Sequence, residues 1–356
     1  MDECLREAFI AAQSWQGRCA PNPSVGAVVV RAGVMISVGF HQGPGTAHAE
    51  VMALQLAGEH AIGATLYVTL EPCCHWGRTP PCTDRIIQSG IIAVYYGFED
   101  PNPKVSGQGV RALKAAGIVC EYLESPEITA FYRAYAHWTR SGRPWVTAKL
   151  AMSLDGAIAG VEGTPLALTS EASNRATHHA RRQCDAIVTT VQTILRDDPQ
   201  LNARCQDEVI AKPVYVLDRT LHCPVTARIY QTAQSVTLCC GEGSTTEAAR
   251  THMRGRCVAL PEKASHLNME KILDFWGQEG LHHVWAEVGA RTLIDWLRNR
   301  YIQACKIYVV PRWVGAKYPL IWEALDPGTC GYQVSWSTDV CPDGVLLLTA
   351  CDLVSG

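Results

Sequence analysis

Short apolar runs rich in β-branched residues alternate with stretches of helical period along most of the chain, and this alternation restricts the fold more than any other feature. Leu5, Ala8, Phe9, Ala12 and Trp15 recur at helical spacing, so one apolar stripe of an N-terminal helix faces a core. VGAVVVR, a short break and VMISVGF read as the two strands of a hairpin. HAEVMALQLAG then reads as a helix ended by Gly58, ATLYVTL as a strand, and CTDRIIQSG as a helix stopped by Gly90. IIAVYYGF, GQGVRALKAAG and IVCEYL continue as strand, helix and strand. Strand traded with helix at this rhythm predicts a layered α/β sheet with helices on its faces. A first domain is expected over 1–125, and ESPEITAFYRAYAHWTRSGRP predicts a helical linker over 126–144, broken at Gly142 and Pro144. A second α/β pattern begins with WVTAKLAM and continues through DAIVTT, PVYVLD, SVTLCC, HHVWAEV and ACKIYVV, with helices near 171–182 and 290–300. It forms a second domain over 145–356. The length agrees, since 356 residues exceed what one hydrophobic core usually supports.

Several function classes are disfavoured early. No run approaches the length of apolar residues that a membrane span needs. The N-terminus MDECLREAFIAAQSW carries acids where a secretory signal needs a basic start, which leaves the cytoplasm as the expected location. A net charge of −3 with no block of Lys and Arg argues against nucleic acid as the main partner, because phosphate backbones call for clustered positive charge. The sixteen cysteines are spread from Cys4 to Cys351, so in a reducing compartment most are expected to be small buried apolar residues. Only clustering with other ligand types marks any of them as functional.

Such clustering occurs around LEPCCHWGRTPPC, residues 70–82, and His-Ala-Glu at 48–50. Zinc takes neutral imidazole and thiolate, and a catalytic site keeps three protein ligands so that the fourth position holds water. One histidine and two cysteines satisfy that count, and Glu50, two residues beyond His48, suits a proton shuttle that is not itself a ligand. The pattern H-x-E followed by P-C-x-x-C belongs to zinc-dependent nucleobase deaminases. Here Pro72-Cys73 is followed at once by Cys74, and the next thiol is Cys82. A structural zinc with a fourth ligand from Cys74 or His75 is the competing reading. His75 and Trp76 are either pocket walls or surface.

EPCCHWGRTPPC, with APNPSVGAVVV, HAEVMAL and DPNPKVSGQG, resembles the deaminase domain of the RibD family of bifunctional riboflavin-biosynthesis proteins, in which the second zinc cysteine comes nine positions after the first. The resemblance implies a cytidine-deaminase-like three-layer domain with His48, Cys73 and Cys82 holding Zn2+ and Glu50 as catalytic proton shuttle. Cys74 stands where the family usually has serine. By the same resemblance Asn22, on the loop with Pro23, Val25 and Gly26, lines the pyrimidine pocket. DPNP followed by SGQG before a helix offers backbone N–H groups as a phosphate seat, with Arg78 and Lys104 as candidate cationic partners.

KLAMSLDGAIAG, LTSEA, Arg181 and DDPQLNAR resemble the reductase domain of the same family, a dihydrofolate-reductase-like α/β fold that uses NADPH. Matching positions imply that Arg181, Leu201, Arg204 and Glu287 contact a ribose-phosphate substrate, and that Ala151, Thr193, Asp197 and Gly289 lie at the cofactor. The sequence departs from the family at Thr164, Pro165 and Ala167, in VTTVQT where a glycine-rich turn is usual, and at Val288 where a second glycine is usual. The leading reading is zinc-dependent deamination of a pyrimidine ribosylamine phosphate followed by NADPH-dependent reduction of its ribosyl chain. A deaminase with a degenerate C-terminal binding domain is the alternative, and a nucleic-acid-editing deaminase a more distant one. The family's habit of forming dimers or tetramers implies a homo-oligomer.

Overall fold

A computed structural model describes all residues except 77–79, 104–105, 159–167, 207, 245–253, 316–326, 329 and 352–356. Two compact units form, one from Met1–Pro144 with Gly277–His282, the other from Trp145–Trp276 with His283–Gly356.

The first unit begins with α1 (Glu3–Ser14), capped by the Asp2 side chain, which accepts from the N–H groups of Cys4 and Leu5. The hairpin β1 (Gly26–Arg31) and β2 (Val34–Phe40) follows, then α2 (Ala49–Ala57), β3 (Thr65–Val68), α3 (Cys82–Gln88), β4 (Ala93–Tyr96), α4 (Gln108–Ala115), β5 (Val119–Tyr122) and α5 (Pro126–Ser141). The sheet runs β2-β1-β3-β4-β5. β1 is antiparallel to both neighbours, and β3, β4 and β5 are parallel. Ala53 and Leu54 of α2, Ile86 of α3 and Leu113 of α4 share one core with Val29, Leu66 and Val94 of the sheet. Leu5 and Phe9 of α1 make a second core with Ile128, Tyr132 and Tyr135 of α5. The unit is therefore three layers, with helices on both faces of the sheet. The segment read as a linker is part of this unit. Tyr132 is fully buried, and its hydroxyl lies 2.6 Å from Thr69 Oγ1 and donates to the Ser24 carbonyl at 2.9 Å.

The second unit contains β6 (Trp145–Ser153), α6 (Glu171–Gln183), β7 (Ala186–Thr190), α7 (Val191–Asp197), the hairpin β8 (Ala203–Cys205) and β9 (Glu208–Ile210), β10 (Pro213–Leu217), α8 (Ile229–Thr232), β11 (Ser235–Gly241) and β12 (Arg256–Leu260). After β13 (Glu262–Lys263) and β14 (His266–Leu267) come α9 (Met269–Gln278), β15 (His283–Glu287), α10 (Ala290–Arg298), β16 (Ala304–Val310), β17 (Tyr332–Ser337) and β18 (Gly344–Ala350). Nine strands form one sheet in the order β12-β11-β10-β7-β15-β6-β16-β18-β17. The pairs are parallel from β12 to β16, and β18 and β17 close that edge antiparallel. β12, β17 and β18 have no counterpart in the sequence reading. In an open parallel sheet, ligands lie beyond the carboxyl ends of the strands, where β6 and β15 lead into loops and β7 leads directly into α7.

Candidate active sites

His48 is the N-cap of α2 and makes no side-chain capping bond, so its ring is left to face inward. Cys82 is the first residue of α3, and Cys73 lies on the loop after β3. His48 Nδ1 is 3.1 Å from Cys82 Sγ and 3.6 Å from Cys73 Sγ, and the Cys82 N–H donates to Cys73 Sγ at 3.4 Å. The three ligand atoms lie within 4.8 Å of one another. Hydrogen bonding with Cys82, opposed by burial and reinforced by His48, pulls the Cys73 thiol down to about 4. The bond to Cys73 and burial push the Cys82 thiol up, and the donor set of one imidazole and two sulfurs fits zinc. Cys74 is outside the group, and burial pushes its thiol up.

Glu50, in the first turn of α2, is 4% exposed, and burial pushes its carboxyl up. It opens, with His48 and Cys73, into a cavity of about 390 Å3. His75 also lines that cavity, whereas Trp76 is 75% exposed, so the two neighbours divide between wall and surface. Arg78 and Lys104 lie outside the described residues.

Asn22 lines the same cavity and is fixed by a residue that the sequence reading passed over. His41 is 2% exposed, with Nδ1 at 3.1 Å from the Ala47 carbonyl and Nε2 at 3.0 Å from Asn22 Nδ2. A carbonyl only accepts, so Nδ1 carries the proton and Nε2 accepts from the Asn22 amide. Burial lowers the His41 pKa and keeps this neutral form. The arrangement leaves the Asn22 amide oxygen for a donor on a ligand. The only sequence signal was a second histidine seven positions before His48. Asp100, pushed up to about 6 by burial, accepts from the Asn102 N–H at 2.9 Å and the Tyr135 hydroxyl at 3.2 Å. The phosphate seat expected at the start of α4 is already filled, because the N–H groups of Gly107 and Val110 donate to the Glu71 carboxylate.

In the second unit Ala151, Thr193, Asp197, Glu287 and Gly289 line one cavity of about 1050 Å3. Thr190 caps α7 and accepts from the Thr193 N–H at 3.3 Å, so threonine does here locally what a glycine turn would leave to a ligand. Val288 is 6% exposed and is also part of the wall. Thr164, Pro165 and Ala167 lie outside the described residues. Arg181 and Arg204 both bond Asn202, the first through its carbonyl and the second through its side chain. Arg181 makes a two-pronged ion pair with Glu287, at 2.6 Å from Nε and 2.8 Å from Nη2, and gives Nη1 to the Asn202 carbonyl at 3.0 Å. Burial pushes the Glu287 carboxyl up, but Arg181 outweighs it and holds the group down at about 2. Arg204 is bonded to Gln200 and to the Asn202 side chain, in a separate groove with Arg175, His179 and Arg182. Leu201 is 1% exposed in the core at φ +48, so only its backbone can meet a ligand. Lys149 on β6, another residue not singled out from the sequence, lines the cavity with burial lowering its ammonium pKa.

A three-layer unit with a His-Cys-Cys cluster beside a buried glutamate, and a second α/β unit with a cavity of about 1050 Å3 beyond its strand ends, define a zinc-site deaminase joined to a reductase-type fold. Residues 2–98 match the cytidine and deoxycytidylate deaminase zinc-binding region, and residues 144–328 match the RibD C-terminal domain. The riboflavin biosynthesis protein RibD of Aquifex aeolicus is 37% identical over 87% of both chains, and that of Escherichia coli 33% identical over 88% of both. Among solved structures, RibD of Acinetobacter baumannii superposes with a TM-score of 0.82 at 29% identity, covering 97% of each chain. The deaminase/reductase of Thermotoga maritima superposes with a TM-score of 0.83 at 29% identity, covering 98% of each chain. This chain belongs to the RibD family.

Proposed function

We propose that the chain carries out two successive steps of riboflavin biosynthesis, hydrolytic deamination of 2,5-diamino-6-(5-phosphoribosylamino)pyrimidin-4-one and NADPH-dependent reduction of the ribosyl chain of the product to ribityl. The observation that carries the first step is the His48-Cys73-Cys82 cluster, of which His48 and Cys73 open with buried Glu50 into a cavity of about 390 Å3. Zinc held by these three residues supplies the Lewis acidity that makes water a nucleophile near neutral pH. Glu50 takes one proton from the attacking water and passes it to the ring nitrogen, then takes the second proton of that oxygen and passes it to the amine, which leaves as ammonia when the C–N bond breaks. Burial raises its pKa, which makes the carboxylate a stronger acceptor for the proton of water. Asn22, oriented by His41, accepts from an N–H edge of the pyrimidine. Net charge −3 without a basic block favours a free nucleotide-like substrate over a nucleic acid, and the sixteen free thiols suit the cytoplasm.

The second cavity, of about 1050 Å3 and lined by Lys149, Arg196 and Arg291, has the volume and positive groups for a phosphate-bearing dinucleotide. The helix α10 starts there after Gly289, which has open space where a Cβ would be. NADPH bound there supplies a hydride. Lys149, whose ammonium pKa burial lowers, lines this cavity and supplies the proton that reduction of a sugar carbonyl or imine also requires. Glu287 stays charged against Arg181 and orients sugar hydroxyls. One observation favours a deaminase with a degenerate second unit instead, the bulk of Val288 in the cavity wall.

Glu50→Gln is expected to lower deamination by about 10²–10⁴-fold while zinc content, measured by emission spectrometry, stays at the wild-type level. Turnover that survives the substitution would remove Glu50 from the proton path.

A further inference from the structure

Glu71 stands two residues before Cys73 and is 3% exposed. Its Oε2 accepts from the Gly107 N–H at 3.0 Å and from the Asp100 N–H at 3.4 Å, and its Oε1 accepts from the Val110 N–H at 3.4 Å. Gly107 is the N-cap of α4 at φ +67 and has no side chain to cap with, so the helix start would leave N–H groups unsatisfied. Glu71 supplies, from another part of the chain, the acceptor that a serine or aspartate N-cap would provide. Packing at the same point is direct. A Cβ added at Gly109 would sit 2.0 Å from the Pro72 carbonyl oxygen and 3.5 Å from Glu71 Oε1.

These contacts join two walls of the deaminase cavity. One is the Glu71–Cys73 segment, which ends in a zinc ligand. The other is the stretch between β4 and α4, which carries Asp100 and Asn102 into the cavity. Asp100 is held twice, by its N–H on Glu71 and by its carboxyl on the Tyr135 hydroxyl of α5. His48 and Glu50 ride on α2, and none of the three Glu71 bonds reaches that helix.

We infer that Glu71 is a positioning residue of the deaminase site, setting the spacing between the wall that binds substrate through Asp100 and Asn102 and the wall that binds the metal through Cys73. The inference rests on the deaminase reading above. Loss of the acceptor pair releases the Asp100-Asn102 wall while the metal ligands and the proton shuttle keep their places. Binding of ground state and transition state is then weakened alike, which raises KM and leaves kcat. A carboxylate that served only stability would shift the melting temperature and leave both constants of the folded enzyme unchanged.

The test is Glu71→Gln in the full chain, which keeps the side-chain shape but turns one acceptor into a donor facing a backbone N–H. Zinc content, deamination kinetics and NADPH oxidation are measured on one preparation, the last as a control for folding of the second unit. The expected result is full zinc, KM for the diaminopyrimidine raised about tenfold or more, and kcat within about threefold of wild type. An unchanged KM, or a loss confined to kcat, overturns the inference. Should E71Q fail to fold, Gly109→Ala pushes α4 off Pro72 with the carboxylate intact, and the same KM rise is expected; an unchanged KM there also overturns it. A wild-type chain that does not deaminate this pyrimidine would instead contradict the deaminase reading itself.

Discussion

Arg181 and Glu287 were each expected to touch substrate, and they hold each other. Partners 106 positions apart leave no trace in local spacing, so the pairing was not legible in the sequence. The same is true of Asn22 and His41, 19 positions apart. His48, Glu50, Cys73 and Cys82 were legible because metal chemistry limits which side chains can serve, and the family resemblance chose between Cys74 and Cys82. The buried ion pair has a measurable consequence. The folded pKa of Glu287, about 2, lies below its ordinary value of 4.5, so its contribution to stability, roughly 3 kcal/mol, is fully present above about pH 4.5 and is lost as pH falls toward 2. The difference in urea midpoint between wild type and Glu287→Gln is therefore expected to be largest near pH 6 and to shrink below about pH 4.5. A difference that stays constant over this range would contradict the assignment.

At the scale of elements, β1, β2 and the alternating strands and helices of the first unit could be read because each has an unambiguous period. β12, β17 and β18 could not. β17 is an edge strand whose Val334 and Trp336 are 50% and 57% exposed, so burial does not impose the usual alternation on it. The length and breakers of α5 suit a connection in the sequence, but Tyr132 and Tyr135 place it in the core and at the site. The element that matters most for the proposed zinc site is α2, which His48 caps and whose first turn carries Glu50. It lies directly on β2, since a Cβ at Gly39 would come within 2.3 Å of the Ala49 carbonyl oxygen and 2.5 Å of the Ala53 nitrogen. Gly39→Ala is expected to lift α2, to destabilise the first unit by about 1–3 kcal/mol and to lower zinc occupancy after dialysis. Full zinc occupancy with an unchanged melting curve would show that α2 does not depend on this contact.

At the scale of the whole molecule, each unit has its own core and its own cavity, so the two chemistries should separate. Removal of zinc with a chelator is expected to abolish ammonia release while NADPH oxidation continues when the deaminated pyrimidine is supplied directly. Parallel loss of both would mean that zinc supports more than the first unit. Two-domain organisation followed from length and from the twice-repeated α/β rhythm, while the fate of the second cavity did not, because Val288 could be weighed only once its neighbours were in place. The most direct measurement is a single-pot stoichiometry, with purified zinc-loaded chain, the diaminopyrimidine ribosylamine phosphate and excess NADPH, counting ammonia and NADP+ at completion. Equal amounts of ammonia and NADP+ per substrate consumed are expected; ammonia without NADP+ would contradict the two-step assignment.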